Sequence, residues 1–558
     1  MQRKWLLAAA LSAVATIACA DNTKKGDDKD RAKVEPAVAQ YFKNDDTTTD
    51  SSVTVEGSSV GYHAIAGTLI VHPKDWDDVT QSTEGEAPPP GEPSAEKAPA
   101  PQKDTGARAS MFYAYYAKSG TRPEERPLMF LFNGGPGSST VWLHMGAFGP
   151  RRVITADDKH TPAAPYKLVN NDYSLLDASD LVFIDAPGAG FSRITGKDKE
   201  KAFWGVDADA WAFAEFITQF LSKYGRWNSP KYLFGESYGT TRAAVLANML
   251  ETERSIDLNG IVMLSQILNF DMSADSPQFN PGVDLPYMLA LPTYAASAWY
   301  HNKLPGKRPP DMQKFLGEVQ HFAMGDYSQA LQANAALNNK QRQAIANRLH
   351  QYTGLPVWYI LKANLRIDGG MFEQNLQGNA DITTGRLDTR FSGPTMDPLN
   401  KEADYDPQSA SISSAYVSAL NDYVRKQLNY GHGKQYKPFA DVFRSWDFQH
   451  KVAGVPIPLP QATNVIPDLS TAMKYNPNLH VMLTGGYFDL ATPYYEGIYE
   501  MRHMQIPRAL QRNIEYRYYP SGHMVYAHED SLKAIHDHTA DFIRRTSNIG
   551  GNGGWFSH

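Results

Sequence analysis

Lys231-Tyr232-Leu233-Phe234-Gly235-Glu236-Ser237-Tyr238-Gly239 is the stretch on which the reading of this chain turns. An apolar run with strand character ends in a G-x-S-x-G pentapeptide. A segment of good helix formers, Thr240 to Leu250, follows it. A serine on a sharp strand-to-helix turn has its hydroxyl exposed at the edge of a sheet. The flanking glycines permit the turn and leave room for a carbonyl to approach. Ser237 is therefore the candidate nucleophile.

The chain contains its own control. Gly57-Ser58-Ser59-Val60-Gly61 has the same pattern, but it lies between two alternating stretches, Ser52–Glu56 and Tyr62–Val71. No helical segment follows it, so it reads as a hairpin turn. Setting, not pattern, separates the two serines.

Working outward, short fully apolar runs at Pro127–Phe132, Leu181–Ile184, Tyr232–Phe234, Ile261–Leu264 and His480–Thr484 read as buried parallel strands. Met111–Ala117 and Ile514–Tyr519 are further strands. Between them, Asp209–Tyr224 places Phe213, Phe216, Ile217, Phe220 and Leu221 on one helical face. Ser531–Arg545 reads as a closing helix. Strands alternating with helices predict a mostly parallel central sheet flanked by helices, with right-handed crossovers. Residues 275–465 differ in character. Phe315, Val319 and Phe322, then Ile345, Leu349 and Tyr352, mark amphipathic helices. An insertion after the sixth strand of such a sheet lies over the strands' carboxyl ends, so 275–465 is expected to be a mainly helical cap. The expected division is 51–274 plus 466–548 for the catalytic domain, with a Pro-rich surface loop at 81–107. A flexible polar tether at 21–50 and a disordered tail at 549–558 complete it.

Residues 1–20 carry Arg3 and Lys4, then an apolar run from Trp5 to Ala18, in the proportions of a secretory signal. Ala18-Cys19-Ala20 fits a cleavage site, and Thr16-Ile17-Ala18-Cys19 also resembles a lipoprotein box with a lipid anchor on Cys19. Both routes imply export to the periplasm or cell envelope. Cys19 is the single cysteine, so no internal disulfide is available. The formal net charge of −6 in 558 residues gives no basic footprint for nucleic acid. Oligomeric state has no signature.

A serine nucleophile needs a base, and the base needs an orienting acid. Asp489 and His523 follow the serine in the order this architecture requires, each just past a strand and beside glycines. Asp185 precedes the serine and is expected to be structural; Asp468 is a further rival. Among sixteen histidines, His528, His536 and His538 fall on or beside the last helix, where solvated or capping roles are expected. Gly134-Gly135-Pro136-Gly137 lacks the Gly-Lys-[Ser/Thr] of a phosphate loop. It stands where a hydrolase supplies one oxyanion donor, nominating the Gly135 and Tyr238 amides. No zinc-ligand pattern or dinucleotide fingerprint occurs, and no cofactor or metal is expected.

Together, Asn133-Gly134-Gly135-Pro136-Gly137-Ser138-Ser139, Gly149-Pro150, Asp180–Ser192, Gly235-Glu236-Ser237-Tyr238, Asp489 and Gly522-His523-Met524 resemble the serine carboxypeptidase family of α/β-hydrolases. The resemblance covers roughly 110–275 and 475–545. It implies removal of C-terminal residues from peptides through an acyl-enzyme at Ser237. It also implies that Asn133 and Glu236 hold the substrate's free carboxylate, for which Glu236 must share a proton. Three departures stand out. Ala147 replaces a second glutamate of that clamp, Gly239-Thr240 replaces Ala-Gly, and Ser138 replaces a disulfide cysteine. An esterase, acyltransferase or lyase on the same scaffold, or a non-catalytic envelope binding protein, are the alternatives.

Overall fold

The computed structural model describes residues 40–74, 76, 106–452, 455 and 461–549. The signal segment with Cys19, most of the expected tether, nearly all of the Pro-rich loop and the tail from Gly550 lie outside the described residues.

Ten strands form the main sheet: β1 (Asp46–Val55), β2 (Ser58–Val71), β3 (Arg108–Lys118), β4 (Leu128–Phe132), β5 (Asp180–Ile184), β6 (Arg193–Thr195), β7 (Lys231–Glu236), β8 (Gly260–Leu264), β9 (His480–Gly486) and β10 (Ile514–Tyr519). Their order is β1-β2-β3-β5-β4-β7-β8-β9-β10, with β6 paired to β3. The six strands from β5 to β10 along this order are parallel, and β1, β2 and β3 add an antiparallel edge. This is the α/β-hydrolase arrangement.

The parallel strands are apolar throughout because both faces are covered. Phe130, Phe132, Leu233 and Met263 point to one face, against α1 (Val206–Lys223), α2 (Tyr238–Glu253) and α7 (Ile466–Tyr475). Met129, Leu131, Phe234 and Val262 point to the other, toward α9 (Glu529–Thr546) and α6 (Pro407–Lys426). A fully buried Phe contributes about 1.5–3 kcal/mol, so Phe213, Phe216 and Phe220 alone pin α1 firmly to the sheet.

Three expectations change. The strand β1 begins at Asp46, inside the segment read as a tether, and pairs along its whole length with β2. The 57–61 turn tightens to Glu56-Gly57, both at positive φ, with Ser58–Gly61 already in β2. The 275–465 segment is two bodies rather than one cap. Helices α3 (Leu285–Tyr300), α4 (Met312–Phe322) and α5 (Asn339–Thr353) share a separate core that includes Phe488, Leu490 and Tyr494. The later part returns to the hydrolase layers: Tyr416, Leu420, Tyr423 and Val424 of α6 join one face, and Val442 and Trp446 the other. Two buried tyrosines on α6, Tyr416 and Tyr423, with Leu420 and Val424, override its polar flanks, and sequence position gives no hint of which core they join.

Candidate active site

Ser237 sits between β7 and α2 with φ 61° and ψ −131°, a conformation an L-residue holds only when its surroundings impose it. The imposition is steric. A Cβ on Gly235 would lie 2.2 Å from the Gly239 carbonyl oxygen, and one on Gly239 would lie 2.8 Å from that of Phe132. The two motif glycines therefore let the strand end and the helix start close on one another. Ser237 is half-buried, while its five predecessors and three followers are buried.

Parallel pairing carries the other two groups to the same edge. Glu236 is in register with Leu264, Leu264 with Thr484, and Gly486 with Tyr519. The Ser237 amide donates to the Leu264 carbonyl at 2.9 Å. The hydroxyl of the next residue, Ser265, donates to the His523 carbonyl at 2.8 Å. Serine and histidine loops thus hang from consecutive residues at the end of β8.

His523 Nδ1 lies 2.9 Å from Asp489 Oδ2, both side chains being buried. That bond places the proton on Nδ1 and leaves Nε2 as the ring's accepting nitrogen. Thr492 fixes the carboxylate: its amide donates to Oδ1 at 3.0 Å and its hydroxyl to Oδ2 at 2.7 Å. Burial opposes a charged ring at His523, yet Asp489 and Glu236 outweigh it and hold the imidazole above its ordinary value.

Glu236 is buried beside this pair. Burial pushes its carboxyl up to about 7, against the opposing pull of His523, of the Tyr526 hydroxyl and of Asn133. Tyr526 donates to Oε2 at 2.8 Å. Tyr416 faces the same carboxyl, and its own hydroxyl is driven above its usual value by burial first and by Glu236 second. Ala147 is buried in the turn Leu143–Phe148 and adds no second carboxyl.

The Gly134–Gly137 loop lies directly on the elbow: a Cβ on Gly134 would be 2.3 Å from the Tyr238 nitrogen. The residue before Gly135 therefore lies against the Tyr238 backbone, and Tyr238 opens α2, where first-turn amides have no helical acceptor. Arg242 of α2 locks the loop. It donates to the Asn133 carbonyl at 2.8 Å and pairs, fully buried, with Asp209 at 2.6 Å.

Asp185 takes another part. Its Oδ1 accepts from the Thr140 amide at 2.8 Å and hydroxyl at 2.9 Å, and Oδ2 from the Phe191 amide at 3.2 Å. It joins two loops and touches none of the three groups above. Asp468 is bound to His450 Nε2 at 2.7 Å. His528 bonds Ser531 at 2.7 Å. His536 departs from expectation: it is buried rather than solvated, 3.2 Å from Asp177, because that face of α9 packs on the 173–177 segment before β5.

Sequence reasoning missed Thr492, Tyr526, Arg242 and the segment Arg386–Arg390. The last spans both triad loops. The His523 amide donates to Leu387 at 2.6 Å, Thr389 to Phe488 at 2.9 Å and Leu490 to Arg386 at 3.0 Å. Asp388, paired with Arg390 at 2.6 Å, accepts from the Gly522 amide at 3.1 Å. Thr492, three residues after Asp489, was the one with a readable signal. The others act across long separations.

As a metal site, the described residues offer Glu56 and Asp537, both exposed, beside the buried His536. Lys533 already binds Glu56 at 3.3 Å and Asp537 at 2.8 Å, so the group works as an ion-pair cluster.

Comparison with known proteins places the chain in a family. The family profile described as serine carboxypeptidase matches residues 102–530. Serine carboxypeptidase-like 3 of Arabidopsis thaliana is 30% identical over 172 residues, 29% of this chain and 37% of that protein. Serine carboxypeptidase-like 5 of the same plant is 33% identical over 130 residues, 23% of this chain and 28% of that protein. The alignments thus span only 37% and 28% of these curated relatives' own length. Among solved structures, Kex1(Δ)p, a prohormone-processing carboxypeptidase of Saccharomyces cerevisiae, superposes with a TM-score of 0.49 at 15% identity. It covers 88% of this chain and 93% of that one. On the extent of the profile match, the chain belongs to the serine carboxypeptidase family.

Proposed function

We propose that this protein is a serine-type carboxypeptidase that releases residues one at a time from peptides with a free C-terminus. His523 Nε2 takes the proton of Ser237 as its Oγ attacks the last peptide carbonyl, and later passes that proton to the leaving amine. Asp489 holds the ring tautomer and balances the imidazolium. The oxyanion of the tetrahedral intermediate lies toward the Gly135 and Tyr238 amides, a contribution worth about 10²–10³ in rate per donor. Water then cleaves the acyl-enzyme by the same relay.

The observation that carries the reading is the buried Glu236 carboxyl beside the nucleophile, with Tyr526 and Asn133 against it. A bare hydrolase gains nothing from burying such a group there. Held near pH 7, it stays protonated in mild acid and shares its proton with an ionised terminal carboxylate, which two anions cannot do.

Peptides that differ only in a free or amidated C-terminus provide the test. Loss of charge-assisted hydrogen bonds worth about 1.5–3 kcal/mol predicts that amidation slows cleavage about 10- to 100-fold. Equal cleavage overturns the assignment. Ala147, where a second glutamate is expected, favours the second reading of an esterase, acyltransferase or lyase, whose signature is ester turnover with no peptide ladder.

The N-terminal segment supports export to the periplasm or envelope, with Cys19 either lost at cleavage or carrying lipid. Mass spectrometry of the mature N-terminus separates these routes.

A further inference from the structure

Beside Thr492, which holds Asp489, lies a small cavity whose largely apolar wall, including Leu483, Pro493 and Tyr494, is broken by Ser265, Gln266 and Thr484. Two of these walls belong to the triad's own support, since Thr492 binds Asp489 and Ser265 binds the His523 carbonyl. The third wall is α8 (Tyr494–Arg502), which begins two residues after Thr492.

That helix buries two carboxyls one turn apart. Glu496 is 1% exposed and Glu500 is 3% exposed, and Oε1 of each has no hydrogen-bond partner. Gln266 Oε1, Thr484 Oγ1 and the Tyr518 hydroxyl are unpartnered as well. One satisfied contact is from the Gln266 amide to Glu500 Oε2. A Cβ on Gly497 would lie 2.5 Å from Gln266 Oε1, so the helix is pressed directly onto this residue. Asp275, which faces Glu496, is itself paired with Arg386. Carboxylates and an amide oxygen only accept. The Thr484 and Tyr518 hydroxyls can donate, and protonated carboxyls add two further donors for the remaining acceptors.

We infer that Glu496 and Glu500 are positioning residues: as a neutral pair they seat the loop carrying Asp489 and Thr492, and as anions they unseat it. This rests on the reading of Ser237 as the nucleophile. The groups set against the pair are Asp489 from the triad loop and Asp275 from the insertion at Glu496, and Gln266 with the Leu268 amide, past the end of β8, at Glu500. Asp489 and Asp275 disfavour a further negative charge at Glu496. Burial above all, then Glu500 and these two aspartates, lifts the Glu496 carboxyl well above its ordinary range. Burial lifts Glu500 to about 8, against the Gln266 and Leu268 amides that favour its anion. The sign follows: the pair is neutral and the loop seated in mild acid, and the support is lost as pH rises through about 8.

The test is the rate of covalent labelling of Ser237 by an organophosphate between pH 5 and 10, using the full chain. This readout does not require the terminal-carboxylate clamp. The expected wild-type profile is bell-shaped, its alkaline limb falling about tenfold per pH unit. In Glu496→Gln, Glu500→Gln and the double variant, labelling at pH 6 stays within a few-fold of wild type and the alkaline limb disappears or moves up by more than a unit. An unmoved limb in the double variant overturns the inference, as does an even loss of labelling at every pH. The thermal midpoint of Ser237→Ala protein gives an independent arm. It is expected to fall from pH 4.5 to about 8, and to fall less steeply over that span when both glutamates are glutamine, Glu236 and other buried carboxyls supplying the remaining slope. Equal slopes overturn the inference. If wild type does not label at all, the nucleophile assignment falls, and the thermal arm still judges the pair.

Discussion

Gly57–Gly61 and Gly235–Gly239 have one pattern and opposite fates. In the first, Ser59 is exposed on β2, and a Cβ added to Gly57 would touch nothing within 4 Å. Its glycine serves only the positive φ of a two-residue hairpin turn. In the second, both glycines face backbone: that of the opposite limb at Gly235, and the β4 strand end at Gly239. The serine between them is forced to φ 61°. The difference teaches that the motif is defined by what its glycines press against. The sheet supplies that, not the pentapeptide.

The largest way to break this comparison is at the serines themselves. Ser237→Ala is expected to lower peptide turnover on the order of 10⁶-fold, while Ser59→Ala leaves it unchanged; steady-state rates on one peptide compare them. Next come the glycines. Gly235→Ala drives a methyl into the Gly239 backbone and is expected to cost about 1–3 kcal/mol, with loss of organophosphate labelling. Gly57→Ala meets open space and pays about 1 kcal/mol for its positive φ, with labelling intact. Thermal unfolding and labelling, read together, decide the pair; equal outcomes would erase the distinction.

The smallest effect sharpens the elbow's second role. Glu236 is neutral below about 7 and anionic above it, so KM for free-C-terminal peptides should rise as pH passes from 6 to 8. In Glu236→Gln the KM should be flat over that range. A KM that climbs equally in both proteins would detach Glu236 from the carboxylate.

Much of the fold was legible because parallel strands covered on both faces must be continuously apolar. Runs such as Leu128–Phe132 and Gly260–Leu264 stand out for that reason. The N-terminal strand was not legible. Asp46–Val55 alternates with threonine, serine and aspartate on an exposed edge, and its polar half looks like linker. The segment 275–465 looked uniform because amphipathic helices read alike, whichever core receives their apolar face. Of the site, Ser237, Asp489 and His523 stand just past strand ends and could be named from position. Tyr526, Arg242 and Arg386–Arg390 could not, since each acts on a group far away in the chain.

What the chain determined alone is local: which segments are apolar enough to be central strands, where small residues allow sharp turns, and which titratable side chains follow strand ends. What only the tertiary structure decided is the state of those side chains. Glu236 is held near neutrality because burial outweighs the Tyr526 and Asn133 hydrogen bonds that favour its anion, and Asp489 is fixed because Thr492 and the 386–390 strap hold its loop. Desolvation and hydrogen-bond partnership depend on everything packed around a group, and no stretch of sequence contains its own surroundings.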